Sequence, residues 1–353
     1  MKINKNVTLL SSRWNNFKFN LKRGNGHLIN YAFDRVRWHL YPRFHRVSTF
    51  PTHVDLELSN ACNLNCSMCY TTTDKFKEAV EKSLMEVDIF KKAIDECVQY
   101  KSHYSIRLSW RGESFLHPDV LELVKYAKKK GIKEVSTLTH GGFLTPEKFE
   151  ELLDAGLDWL TISFDGVDET YEEIRAPLNY EEAVSKIKKY HEIKKAKKSV
   201  KPIIKVQGVW PAVAKNPEKF FNTFQPIVDQ VAAPPLLDYL HMDTDIEYIE
   251  NFTCPVLYQR LTVASSGKSF MCFNDELETS EIGDLHTESI HDIWHGKKMQ
   301  DKRKIHLKHM GYKELPSCKF CFYPRKTTKF KSKVDGRDVE FESVTNRVQE
   351  VGK

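Results

Sequence analysis

Seven of the eight cysteines in this 353-residue chain stand in two patterned groups: Cys62, Cys66 and Cys69, then Cys254, Cys272, Cys318 and Cys321. The first group has CxxxCxxC spacing inside the stretch Leu58 to Tyr70, directly after a short strand-like run, Val54 to Leu58. Three thiolates this close cannot complete a structural zinc site alone, because zinc takes four protein ligands. An iron–sulfur cluster tolerates three, provided its fourth corner is left to something other than cysteine. A zinc knuckle borrowing a distant ligand, or three buried thiols, is the plainer alternative. The second group sets Cys254 and Cys272 either side of a Ser266-Gly267 turn and closes with the CxxC of Cys318 and Cys321. Four thiolates suit one fully ligated four-iron cluster or one zinc ribbon. Cys97 stands apart on an apolar helix face and reads as a small buried hydrophobe.

Strand-like and helix-like segments alternate from Pro51 onward and must position these groups. Strands are expected at Val54 to Leu58, Ser105 to Trp110, Val135 to Thr139, Trp159 to Ser163 and Ile203 to Val209, with a weaker sixth at Leu236 to His241. Helices are expected at Met85 to Tyr100, at Pro118 to Lys130 with Gly131 as stop, after the Thr145 cap with Pro146 at the first position, and at Tyr180 to Lys198. Such alternation argues for parallel β/α units, six of which make an open partial barrel. Chemistry collects at the carboxyl ends of barrel strands, so the residues just past each strand are the candidates.

The formal net charge of +6 is modest for the length and does not suggest bulk nucleic-acid binding. Its distribution is uneven: residues 1–50 hold ten Lys or Arg against one acid, Asp34. A basic segment of this kind can steer an anionic substrate, touch nucleic acid or rest on a lipid surface, and is most often a solvated face. Tyr31 to Tyr41 suits an amphipathic helix ending near Pro42. Val7 to Leu10 is too short for a signal peptide, and no stretch approaches the ~20 apolar residues of a membrane span. Clustered cysteines without a secretory signal lead to the expectation of a cytoplasmic metalloprotein.

The stretch Leu58 to Tyr70 resembles the cluster loop of the radical SAM enzymes, whose open iron binds the amino and carboxyl groups of S-adenosylmethionine. The loops after the strands extend the resemblance. Trp110-Arg111-Gly112-Glu113-Ser114 looks like the family's Gly-Gly-Glu-Pro loop, with Arg111 for the first Gly and Ser114 for the Pro. The resemblance implies that Gly112 and Glu113 meet the amino group. Thr139-His140-Gly141 is similar to the family's Thr-Asn-Gly loop. Ser163-Phe164-Asp165-Gly166, followed by Tyr171 to Arg175, is close to its Ser-x-Asp-Gly … Tyr-x-x-x-Arg pattern. That implies Ser163, Asp165 and Arg175 as holders of the carboxylate and ribose, and Gln207 as a polar ribose or adenine contact. Residues 254 to 325 resemble the SPASM type of extension, in the reduced twitch-like form that carries one auxiliary cluster.

The resemblance implies a partial (β/α)6 TIM-like barrel with a small C-terminal iron–sulfur domain. The expected segments are a basic extension (1–50), the core (51–250), the auxiliary-cluster domain (251–325) and a tail (326–353) with a hairpin signal at Lys329 to Glu342. It further implies a radical SAM oxidoreductase with one 4Fe-4S cluster at Cys62, Cys66 and Cys69, bound S-adenosylmethionine, and one auxiliary 4Fe-4S cluster at Cys254, Cys272, Cys318 and Cys321. Such an enzyme makes a 5′-deoxyadenosyl radical, removes a substrate hydrogen and is fed electrons by a flavodoxin or ferredoxin. The expected outcome is dehydrogenation or epimerisation of a sugar or other small metabolite. Maturation of a ribosomally made peptide is the alternative, and a zinc-bearing nucleic-acid-binding protein is the rival outside enzymes. No residue is assigned as catalytic acid, base or hydrogen-atom donor; Arg111, His140 and His117 are undiscriminated candidates.

Overall fold

The computed structural model describes residues 7–236, 246–344 and 351. A two-residue strand, β1 (Thr8–Leu9), precedes two helices, α1 (Arg13–Arg23) and α2 (Leu28–Arg43). Six parallel strands then follow in both sequence and space: β2 (His53–Leu56), β3 (Ser105–Arg107), β4 (Glu134–Thr139), β5 (Trp159–Ser163), β6 (Ile203–Gln207) and β7 (Gln230–Ala233). The crossovers carry α3 (Asp74–Ala79), α4 (Val87–Cys97), α5 (Val120–Lys130), α6 (Pro146–Asp154), α7 (Glu169–Arg175), α8 (Tyr180–Ala196), α9 (Trp210–Val213) and α10 (Pro217–Phe224). This is the expected open (β/α)6 arrangement.

Alternation along each strand explains why these short segments form it. Val54, Leu56, Ile106, Val135, Leu160, Ile204 and Val206 belong to the apolar core. Their neighbours His53, Asp55, Ser105, Arg107, Ser136, Thr161, Lys205 and Gln207 line an internal cavity. With a side-chain period of two, one face packs under the helices and the other faces the lumen.

Both ends of the parallel sheet are extended. β1 pairs antiparallel with β7. β8 (Arg260–Val263) pairs parallel with β2, setting Leu261 opposite Val54, and leads through Gly267 to β9 (Lys268–Phe270) and on to β10 (Glu281–Asp284). The C-terminal region is therefore built onto the core sheet. α11 (Ile290–His295), α12 (Lys297–Leu307) and α13 (Pro316–Lys319) complete it.

Two expectations change, and a third, the tail hairpin, holds. The sixth strand is Gln230–Ala233, whose small residues gave no strand signal; of the expected Leu236 to His241, residues 237–241 lie outside the described residues. α1 had no sequence reading, and α2 runs to Arg43 with Pro42 inside its last turn. The tail is a hairpin, β11 (Thr327–Val334) and β12 (Arg337–Val344), turning through Asp335 (φ 54) and Gly336 (φ 66). Left-handed conformation at both turn residues fits the twist of a two-residue hairpin. It packs on the core: Phe341 stacks on Trp210 at 3.7 Å between ring centroids, and the Asp335 N–H donates to Glu218. None of its described residues lines the small cavity beside Cys254, Cys272, Cys318 and Cys321.

Behind β5 and β6, Phe164 stacks on Tyr171 at 4.0 Å and meets Phe224 edge-on at 4.6 Å, all three fully buried. Phe164 sits between two expected cofactor contacts, Ser163 and Asp165. Replacing it with alanine is expected to cost about 3–5 kcal/mol, read as a lower urea midpoint at unchanged slope.

Candidate functional site

The first three cysteines sit in a tight loop just past the carboxyl end of β2. All three are free thiols. The Cys69 N–H donates to the Cys66 carbonyl at 2.9 Å, and the Leu64 N–H points at Cys62 Sγ at 3.4 Å. Asn60 anchors the entry to the loop, donating from Nδ2 to the Glu81 carbonyl and accepting the Ser83 N–H, both at 2.8 Å. Burial pushes the Cys62 thiol up to about 11, with Glu113 and the other two thiols adding to it, and burial raises Cys66 as well. Thiols that resist ionisation alone become thiolate ligands when a metal supplies the opposite charge. The donor set suits a cluster with one open corner.

The loop after β3 is pressed against this one. Gly112 has φ +56, and a Cβ there would lie 2.5 Å from the Ala61 carbonyl oxygen, so glycine is required. The next N–H, of Glu113, donates to that carbonyl at 2.8 Å. Buried Glu113 accepts the Thr139 hydroxyl at 2.8 Å, the His140 N–H at 2.9 Å and the Phe115 N–H at 3.1 Å. Gly112, Glu113 and Thr139 thus form one group. Arg175 is held by Asp165, whose other oxygen accepts the Val209 N–H at 2.7 Å. Ser163 and Gln207 stand opposite one another on β5 and β6. Every expected cofactor contact lies at a carboxyl end of the sheet.

The three undiscriminated catalytic candidates are each engaged by other groups of the protein. His117 donates from Nε2 to the Met85 carbonyl at 2.9 Å and accepts the Asp119 N–H at Nδ1. His140 accepts the Gly142 N–H at Nδ1 and places Nε2 2.9 Å from Asn63 Oδ1; burial, reinforced by Arg175 and Lys186, pushes it down to about 4. Arg111 meets fully buried Glu57 with a fork, Nε to Oε1 at 2.8 Å and Nη2 to Oε2 at 2.7 Å, and its own N–H donates to Oε1. It also reaches Glu278 Oε1 at 2.7 Å and the Glu276 carbonyl at 3.0 Å. The departure from Gly at position 111 therefore joins the core to the C-terminal region.

Cys254, Cys272, Cys318 and Cys321 line one small cavity together with Asn274 and His306. The Asn274 N–H donates to Cys272 Sγ at 3.3 Å, its Nδ2 donates to Cys321 Sγ at 3.2 Å, and His306 Nε2 lies 3.4 Å from Cys318 Sγ. Burial raises all four thiols, Cys254 to about 12. Among the described residues no group of three or more His, Cys, Asp or Glu is arranged to hold a single metal ion. The four thiols border one small space, and this donor set suits a fully ligated cluster. Sequence reasoning missed Asn274 and His306 as partners of these sulfurs; only Asn274, two residues past Cys272, carried a local signal.

A cavity of about 490 Å3 runs from Met68 and Tyr70 of the cysteine loop down the barrel to Arg23, Arg35 and Trp38. Its charged walls, including Asp55, Arg107, Glu134, Lys205 and Arg260, were not among the candidates. Arg111→Gln is expected to leave Glu57 buried without its cation and cost about 3–5 kcal/mol, with partial recovery in the Glu57→Gln/Arg111→Gln pair, both read by urea unfolding.

A family model described as the Radical SAM superfamily matches residues 56–205, and one described as an iron-sulfur cluster-binding domain, SPASM, matches residues 254–322. The chain is 32% identical over 110 residues to the tungsten-containing aldehyde ferredoxin oxidoreductase cofactor-modifying protein of Pyrococcus furiosus, covering 31% of this chain and 30% of that one. It is 34% identical over 126 residues to the AdoMet-dependent heme synthase of Methanosarcina barkeri, covering 35% and 34%. The matched stretch thus spans about a third of the length of these curated relatives. Among solved structures, BtrN in complex with AdoMet and 2-DOIA superposes with a TM-score of 0.55 at 16% identity, over 77% of this chain and 92% of that one. Streptococcus suis SuiB bound to precursor peptide SuiA superposes at 0.52 and 12% identity, over 78% and 71%. No helix among the described residues is long and apolar enough to cross a membrane. The chain thus carries a Radical SAM domain, which implies a 4Fe-4S cluster and S-adenosylmethionine, and a SPASM domain, which implies auxiliary iron–sulfur chemistry.

Proposed function

We propose that this protein carries out a radical-initiated reaction, a dehydrogenation or an epimerisation, on a small polar metabolite such as a sugar held in the barrel lumen. The observation that carries this is the shared cavity: Met68 and Tyr70 of the cysteine loop line the same space as the polar strand positions below them. At about 490 Å3, with charged walls, it suits a compact polar molecule.

In this proposal the core spans 51–250 and the auxiliary domain 251–325. Cys62, Cys66 and Cys69 hold the first cluster. Glu113, oriented by three donors, receives the ammonium of S-adenosylmethionine beside the close backbone approach at Gly112. The Arg175 fork, fixed by Asp165, takes the carboxylate. Ser163, Gln207 and Thr139 supply polar contacts at the strand ends. When bound, the cluster and S-adenosylmethionine supply the electron and the 5′-deoxyadenosyl radical; the chain's part is to bind, orient and keep water out. Cys254, Cys272, Cys318 and Cys321 hold one auxiliary four-iron cluster suited to accepting an electron in a net oxidation. A flavodoxin or ferredoxin is the fitting donor, and seven thiols in ligand groups suit a reducing cytoplasm. Peptide maturation is a second reading, favoured by the likeness to SuiB, a protein solved with its precursor peptide.

The test is iron and sulfide content after anaerobic reconstitution, with 5′-deoxyadenosine formation under dithionite, in the wild type and a Cys62→Ala/Cys66→Ala/Cys69→Ala variant. About eight irons per chain in the wild type, about four in the variant, and cofactor cleavage in the wild type alone are expected. Zinc in place of iron, with no cleavage, would overturn the proposal.

A further inference from the structure

Five cations line the lumen, and three have a carboxylate. Arg23 forks onto Glu134 at 2.6 and 2.7 Å, Arg35 pairs with Asp34, and Arg260 lies 3.3 Å from Asp55. The remaining two, Arg107 and Lys205, form no ion pair among the described residues. Arg107 donates from Nε to Ser109 Oγ at 3.0 Å. Lys205 is 8% exposed, and its Nζ stands 6.0 Å from the centroid of the Trp159 ring. Burial, reinforced by the cationic Arg107 and Arg23, pushes Lys205 down to about 7. Asp55, opposite Arg107 across the β2–β3 pairing, acts on it without forming an ion pair, and no anion acts on Lys205; a buried cation that no ion pair neutralises is costly unless something supplies the anion.

We propose that Arg107 and Lys205 form a subsite for an oxyanion of the substrate, a carboxylate or a phosphoryl group. The two residues project from β3 and β6 into one cavity. Lys205 lies two residues below Gln207, hence about 7 Å deeper in the barrel than the strand ends. An anion fixed there leaves the rest of a small molecule to reach up toward the cysteine loop. The inference rests on the radical SAM function proposed above and narrows its substrates to acidic or phosphorylated ones.

The test is calorimetric titration of the anaerobically reconstituted protein with inorganic phosphate and, separately, acetate, on the wild type, Lys205→Met, Arg107→Met and Lys205→Arg. Saturable binding that falls about tenfold or more in either methionine variant and is retained in Lys205→Arg is expected. The anion bound more tightly identifies the substrate's group. Equal binding by wild type and methionine variants, or no saturable binding of either anion, would overturn the subsite. Iron content reports the integrity of each variant. Cofactor cleavage by the wild type, measured on the same samples without anion, fails only if the proposed function fails.

A different surface carries a second inference. The outer face of α1 and α2 is apolar at helical spacing: Trp14, Phe17 and Leu21 on one, Ile29, Phe33, Val36 and Leu40 on the other, each between 40% and 74% exposed. Arg13, Lys18, Arg43 and Arg46 are exposed around it, and Asp34, the single acid of residues 7–50, is buried. An apolar stripe with a cationic rim complements an anionic bilayer surface. We infer that this face rests on anionic lipid. The helices close the amino ends of the strands: Arg23 pairs with Glu134 at the start of β4, and Arg37 donates to the Ser102 carbonyl just before β3 at 2.9 Å. The cysteine loop then faces away from the lipid.

Co-sedimentation with vesicles of phosphatidylcholine, with and without phosphatidylserine, tests this. Binding to the anionic vesicles alone, weakened by salt and by at least about tenfold in Ile29→Asp/Phe33→Asp, is expected. No binding, or equal binding by the variant, would overturn it. So would a solution dimer that the same substitutions dissociate, since a second copy would then be the occupant.

Discussion

A carboxylate with no exposure to water, Glu57, stands at the exit of the first barrel strand, and much of the site's geometry depends on how it is satisfied. Left alone it would cost several kcal/mol. Arg111 supplies a planar fork, and the Ser265 N–H and hydroxyl supply the rest at 3.1 and 3.3 Å. Each partner comes from a different part of the chain. Arg111 opens the loop that presses Gly112 and Glu113 onto the cysteine loop, and Ser265 lies in the turn between β8 and β9. Because the carboxylate is satisfied only with all of them in place, one buried ion pair fixes the cofactor loop, the cysteine loop and the C-terminal domain relative to one another.

The same economy governs the barrel. Its apolar face is ordinary; its inner face is not, since acids and bases occupy positions that a packed barrel fills with branched side chains. Asp55 and Glu134 are held charged by cations that other segments deliver, Arg260 from β8 and Arg23 from α1. α1 and the C-terminal domain are thus part of the lumen's electrostatics as well as its walls. A polar lumen is less stable than a packed one, and the open cavity is what that cost maintains.

Local chemistry was legible in the sequence and long-range pairing was not. The cysteine groups, the Gly112-Glu113 loop, the Ser163 to Arg175 pattern and the Asp335-Gly336 turn declare themselves within a few residues. Five of the six core strands were readable because β-branched and aromatic residues concentrate in them; the sixth, Gln-Val-Ala-Ala, has little side chain with which to announce itself. Nothing local marks Glu57 as the partner of Arg111, 54 residues away, or β8 as the neighbour of β2. Lys205 within Ile203-Ile204-Lys205-Val206-Gln207 reads as a strand interrupted by a surface lysine. Only the curl of the sheet around the lumen turns that position inward.

The parallel pairing of β8 with β2 has a chemical consequence that neither domain carries alone. It brings the segment after Cys272 to the wall of the lumen, where the Phe273 carbonyl accepts the Trp110 indole N–H and Asn274 and Glu276 face the cavity. Asn274 is then common to both sites: it borders the proposed substrate space and donates hydrogen bonds to the sulfurs of Cys272 and Cys321. Hydrogen bonds to ligating sulfur stabilise added negative charge and raise a cluster's potential. In the function proposed above, a residue that does this while lining the lumen would tie the electron affinity of the auxiliary cluster to the place where a substrate electron is released. Asn274, which borders both the lumen and the cavity of the C-terminal cysteines, is accordingly the one residue common to their linings.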